Sequence, residues 1–188
     1  MSVIINYKKK LLKNNSFNLI LFVDEDYNLS KLKKIIAKNE YSFILDLIKS
    51  KNQKKEIITL DISSKKKIIL IALKKDFKTS DIENLGAKLF QMSLDNKNTE
   101  YLIHTETLNS KNRDFAGYFA HGFKLKSYNF VKYKSKKNIK DINIYFDGKN
   151  KPTLREQEKF YSIENGTFYT RDLVSEPGNV LHPDEYAK

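Results

Sequence analysis

The sequence predicts an α/β fold: a mixed-sheet, three-layer domain followed by one long helix. Three observations carry that prediction. Short apolar runs rich in Ile and Phe alternate with segments of helical spacing. Two of those runs flank a four-residue polar turn, which makes them antiparallel and the sheet mixed. A capped helical stretch then runs from Thr153 towards Pro177. The length of 188 residues fits one domain, or one domain plus the beginning of another.

Val3 to Ile5 is a short strand. Phe17 to Val23 is a nearly continuous apolar run, the pattern of a strand buried on both faces. Asp24, Glu25 and Asp26 follow in a loop. Three carboxylates suit a hard divalent cation, but no second ligand cluster accompanies them, and an acidic loop after a strand is commonplace. Leu29, Leu32, Ile35 and Ile36 have helical spacing, with Asn28 or Ser30 as N-cap. Tyr41 to Ile48 is a second helical cluster. Glu56 to Ile62 and Lys67 to Leu73 form the hairpin, turning at Ser63 to Lys66.

The next helix opens at Thr79, with Ser80 as cap and Glu83 completing a capping box. Ile82, Leu85, Leu89, Phe90 and Met92 make its buried stripe. Gly86 lies on that stripe, where a glycine lets another backbone come close. Glu100 to Thr105 is a strand. His104 is a candidate ligand or base, but it has no acidic or His neighbour at useful spacing, so a structural role is favoured. A helix from about Asp114 to Lys126 buries Phe115, Tyr118, Phe119 and Phe123, with His121 and Gly122 inside it. Tyr128 and Phe130 are two apart and share one face of an expected strand. Asp141 to Phe146 is the last strand, and the turn-rich Asp147 to Pro152 marks a domain boundary near residue 150.

Thr153 caps the long helix, with Glu156 in the capping-box position. Leu154, Tyr161 and Phe168 recur every seven residues, and Phe160, Ile163, Leu173 and Val174 widen that stripe. Apolar spacing resumes in phase after Asn165-Gly166, so the helix is read as continuous. Pro177 ends it, because its ring excludes Glu176 from the helical region. Gly178 and Asn179 are expected at positive φ. Pro183 then suits the first turn of a second helix, with Asp184 and Glu185 at its positive end.

Composition excludes several chemistries. Cys is absent, so disulfides, thiolate metal sites and cysteine nucleophiles are all ruled out. The chain carries a net charge of +12, and Arg occurs only at Arg113, Arg155 and Arg171. From Thr153 onward four basic residues oppose seven acidic ones, a net −3, which leaves +15 on the preceding residues and supports the boundary. Seven Lys and no acid lie between Phe115 and Lys140, interleaved with Tyr128, Phe130 and Tyr133. That composition suits a module binding DNA or RNA through Lys124–Lys140. It equally suits a strand with aromatics towards the core and Lys towards water, and the scarcity of Arg favours a solvated Lys-rich surface. Lys8 to Lys10 precede an apolar run too short for a signal sequence or a membrane span.

Two stretches carry a resemblance. R-D-L-V-S-E-P-G-N-V-L-H-P-D-E-Y-A, starting at Arg171, resembles the start of the catalytic domain in the cytosolic leucyl aminopeptidases, peptidase family M17. Arg171, Asp172, Leu173, Pro177, Asn179, Leu181, Pro183 and Ala187 match position by position. H-G-F-K-L-K-S-Y-N-F-V-K-Y-K, from His121, is similar to the stretch closing that family's N-terminal domain, through Gly122, Leu125, Tyr128, Phe130, Tyr133 and Lys134. Tyr169-Thr170, Ser175 and His182 depart from the pattern.

The resemblance implies a macro-like α/β domain over residues 1–150, then a linker helix and a truncated start of the catalytic domain over 151–188. It also implies a cytoplasmic, homo-oligomeric (hexameric) enzyme without a membrane anchor. Such an enzyme removes N-terminal residues from peptides with two divalent ions, Mn²⁺ or Zn²⁺. The family's N-T-D-A-E-G-R motif does not occur in this sequence. No catalytic, metal or cofactor-binding residue is therefore assigned, and the chain alone is expected to be inactive.

Overall fold

The computed structural model describes residues 2–7, 17–50, 55–108, 114–135, 140–181 and 184. Six strands form one sheet: β1 (Ser2–Asn6), β2 (Asn18–Asp24), β3 (Ile57–Ser63), β4 (Lys66–Leu73), β5 (Glu100–His104) and β6 (Asp141–Asp147). Their order is β1-β6-β5-β2-β4-β3, and every pairing is parallel except β3 with β4. The mixed sheet expected from the hairpin is therefore present. Helices α1 (Lys38–Ser50), α2 (Thr79–Met92), α3 (Phe115–Lys126) and α4 (Leu154–Ser175) accompany it.

β2 and β4 explain the layering. Ile20, Phe22, Ile69 and Ile71 face one core, beneath α2 and α3. Leu21, Val23, Ile68 and Leu70 face the other, beneath α1. Strands covered on both faces read as continuous apolar runs, as these do. At the polar end of β2, Asn18 is fully buried but satisfied: it donates to Asn98 O at 2.9 Å and accepts from Lys67 N at 3.2 Å.

α2 and α3 meet through two glycines. A Cβ on Gly86 would lie 2.0 Å from the Phe119 carbonyl oxygen, and one on Gly122 would lie 2.1 Å from the Glu83 carbonyl oxygen. Each glycine thus admits the backbone of the opposite helix. Phe90 and Phe123 pack edge to face beside that contact, with centroids 5.2 Å apart.

Several local expectations are corrected. The segment around Leu32 is a 3-10 turn, Ser30–Lys34, opened by Asn28, whose side chain accepts the Ser30 N–H. α2 is opened by Asp81, whose carboxylate accepts the Lys78 N–H, and Ser80 does not cap it. Met92 is exposed and Tyr118 half-buried. Residues 128–135 are irregular and form no strand; Tyr128, Lys132 and Tyr133 bond instead to Asp172 and Glu176 at the end of α4. The Thr153–Glu156 capping box forms, and α4 runs unbroken through Asn165-Gly166. Its apolar stripe is buried only in part: Phe160 is buried and Phe168 half-buried, but Leu154 is 76% exposed, Tyr161 63% and Val174 82%. Among the described residues only Tyr27 and Gly148 have positive φ, so Gly178 and Asn179 do not. The Pro177 carbonyl instead accepts from Val180 N and Leu181 N in a tight turn. The second helix expected at Pro183 and the lysines Lys8 to Lys10 lie outside the described residues, apart from Asp184.

Candidate functional site

The candidate site is the junction between α3, the loop after it, and α4. Phe160 is the apolar anchor. It packs edge to face on Tyr118 with centroids 5.1 Å apart and lies 5.0 Å from the His121 ring. A Cβ on Gly117 would come within 2.7 Å of the Phe160 ring, so the glycine makes the space. One turn further along α4, Glu164 is 2% exposed. Its Oε1 lies 2.9 Å from His121 Nδ1, and its Oε2 accepts from Lys124 Nζ at 2.7 Å. A carboxylate paired with Lys124 only accepts, so His121 Nδ1 carries the hydrogen. Burial, and secondarily the charge of Glu164, push the Tyr7 hydroxyl well above the usual phenol range.

At the far end of α4 a second set of contacts closes. Tyr128 Oη donates to Asp172 Oδ1 at 2.9 Å, and its ring tilts against Phe168 at 5.6 Å. The Arg171 guanidinium lies 5.5 Å over the same ring and donates to Leu125 O at 2.7 Å. Lys132 Nζ donates to Glu176 Oε1 at 2.5 Å, and the Tyr133 hydroxyl donates to Glu176 Oε2. The hydrogen bonds from Lys132 and then Tyr133 hold the Glu176 carboxyl below its usual range. Between this clasp and the edge strand β1 lies an open groove of about 670 Å³, floored by Val3, Phe130, Phe168 and Leu173.

The sequence candidates separate in space. His104 stands at the end of β5, its Nε2 3.7 Å from Asp147 Oδ2 and its Nδ1 buried without a hydrogen-bond partner among the described residues. Burial holds its pKa below the usual imidazole value, and Asp147 and Glu106 oppose that shift. Asp24 accepts the Asn28 N–H at 2.7 Å and Glu25 pairs with Lys75 at 3.6 Å, so the acidic loop is tied into local structure. Among the described residues no three His, Cys, Asp or Glu side chains could hold a metal ion together. In the Lys124–Lys140 stretch, Lys124 and Lys132 are engaged by Glu164 and Glu176, and residues 136–139 lie outside the described residues. Glu164 was not singled out in the sequence. The available signal was its position, four residues after Phe160 and four before Phe168, on one helix face.

The clasp joins the two stretches that resemble peptidase family M17: Tyr128 and Tyr133 belong to one, Arg171 and Asp172 to the other. A sequence profile described as the cytosol aminopeptidase family, N-terminal domain, matches residues 20–137. The chain belongs to the cytosol aminopeptidase family. The cytosol aminopeptidase of Rickettsia prowazekii (strain Madrid E) is 29% identical over 190 residues, covering 90% of this chain and 37% of its own length. The probable cytosol aminopeptidase of Rickettsia canadensis (strain McKiel) is 27% identical over 198 residues, covering 93% and 38%. The chain thus spans less than two-fifths of these relatives.

Solved structures agree on the fold. A tomato leucine aminopeptidase mutant superposes with a TM-score of 0.71 over 100% of this chain and 40% of its own, at 15% identity. A bottromycin maturation enzyme in complex with Mn gives 0.61 over 92% and 34%, at 11% identity. The matched residues include α3 but end before α4, and the groups of the α3–α4 junction hold that helix against the matched region.

Proposed function

We propose that this chain is the N-terminal portion of a leucyl aminopeptidase, with residues 1–150 as its α/β domain and 151–188 as linker helix and start of the catalytic domain. The observation that carries this reading is the match of residues 20–137 to the family's N-terminal domain. The whole enzyme removes N-terminal residues from peptides, uses two divalent ions, Mn²⁺ or Zn²⁺, and acts as a cytoplasmic hexamer. The reading assigns the metal centre to the part of the enzyme that carries the N-T-D-A-E-G-R motif, which does not occur in this sequence. No helix described is long and apolar enough to cross a membrane, which is compatible with this reading.

On this reading the chain by itself has no peptidase activity. The assay is hydrolysis of leucine p-nitroanilide by the purified chain with Mn²⁺. Turnover that a chelator abolishes contradicts the reading.

The alternative, a module binding DNA or RNA through Lys124–Lys140, has less support, since Glu164 and Glu176 already neutralise two of its lysines. A gel shift across salt concentrations separates the two. Binding that falls steeply with salt supports phosphate contacts, and no shift at low salt removes the alternative.

A further inference from the structure

α4 is attached to the domain by few buried groups, the contacts of the clasp at its far end being exposed. Of its 22 residues only Phe160 and Glu164 are buried, whereas α3, at 12 residues, buries eight. One of α4's two buried side chains is a carboxylate, and a buried carboxylate is tolerated only while its partners stay in place. Both partners of Glu164, His121 and Lys124, are on α3. Tyr7, just after β1, also senses its charge.

We propose that Glu164 is an electrostatic latch: it fixes α4 to α3, and its release lets α4 leave as a unit while the sheet and α2–α3 stay folded. The asymmetry of buried ion pairs supports this. In the docked state, loss of one partner strands the other charge in a dry contact; in the undocked state water solvates every member. α4 is therefore disposed to undock when the pair is broken. The α2–α3 core is independent of it, being closed by the Gly86 and Gly122 contacts on other faces of α3.

The test is amide hydrogen exchange on the full chain, comparing wild type with E164Q and K124M. In both variants the amides of α4 exchange at least about tenfold faster, while those of α2, β2 and β4 keep their wild-type rates. Unchanged protection of α4 in both variants overturns the proposal. So does a loss of protection shared equally by the sheet, or an E164Q chain that fails to fold, since either makes Glu164 a component of the global core.

Discussion

Tyr128 Oη donates to Asp172 Oδ1 at 2.9 Å, joining residues from the two stretches that carry the family resemblance. Y128F keeps the ring against Phe168 and Arg171 but removes this bond. Amides of residues 171–176 then exchange faster, while the melting temperature of the sheet core stays at its wild-type value. R171K keeps the charge but loses the planar group stacked on Tyr128, and loosens the same turn. Equal protection in wild type and both variants shows that the clasp does not order this end of α4.

Acid opens the clasp from its other side. The carboxyl of Glu176 titrates below its usual value because Lys132 and Tyr133 donate to it. A depressed folded-state pKa means that this contribution is complete above the unfolded value, about 4.5, and is lost as pH falls through the folded one. Tyrosine fluorescence followed from about pH 6 to about pH 3 reports the loss, and E176Q removes that transition.

The helix contact makes a sharper stability prediction. G86A places a methyl 2.0 Å from a backbone oxygen, which no side-chain rotation relieves. It destabilises the fold by about 3 kcal/mol, the upper part of the overpacking range. G122A acts similarly, and the double variant costs less than the sum because both open one contact. Urea melts measure all three.

G166A has the opposite sign. Gly166 sits inside α4, and a Cβ added there would meet nothing within 4 Å. Alanine removes the glycine penalty and stabilises the helix by roughly 0.5–1 kcal/mol. A destabilised G166A in the same melts shows that α4 bends at this residue.

How far the sequence spoke depended on how local the deciding forces were. β2 and β4 were legible because two-sided burial writes itself as an unbroken apolar run. Gly86 was legible because a glycine on a buried stripe has few other uses. The face of α4 was legible only in part: Phe160 is buried, but Leu154 and Tyr161 keep sevenfold spacing and are exposed, and the other buried position is a glutamate. Apolar periodicity cannot reveal a charge whose partners lie 40 and 43 residues away. The Tyr128–Phe130 stretch failed likewise, because alternation implied a strand while its true partners are in α4.

His104 gives a second pH prediction. Burial lowers its folded-state pKa, so the unfolded chain takes up its proton first. Stability is complete above the unfolded value of about 6.5 and is lost as pH falls from there towards the folded pKa. H104F removes that segment of the stability–pH curve. A curve unchanged by the substitution shows that His104 does not supply it.

Membership of a working aminopeptidase is tested most directly by a chimera. Residues 1–181 of this chain replace the corresponding N-terminal portion of the Rickettsia prowazekii cytosol aminopeptidase, with which it aligns over 90% of its length. Release of p-nitroaniline from leucine p-nitroanilide with Mn²⁺ is then measured. The expected result is a folded chimera whose turnover is abolished by a chelator. A chimera that folds yet shows no such turnover contradicts the assignment.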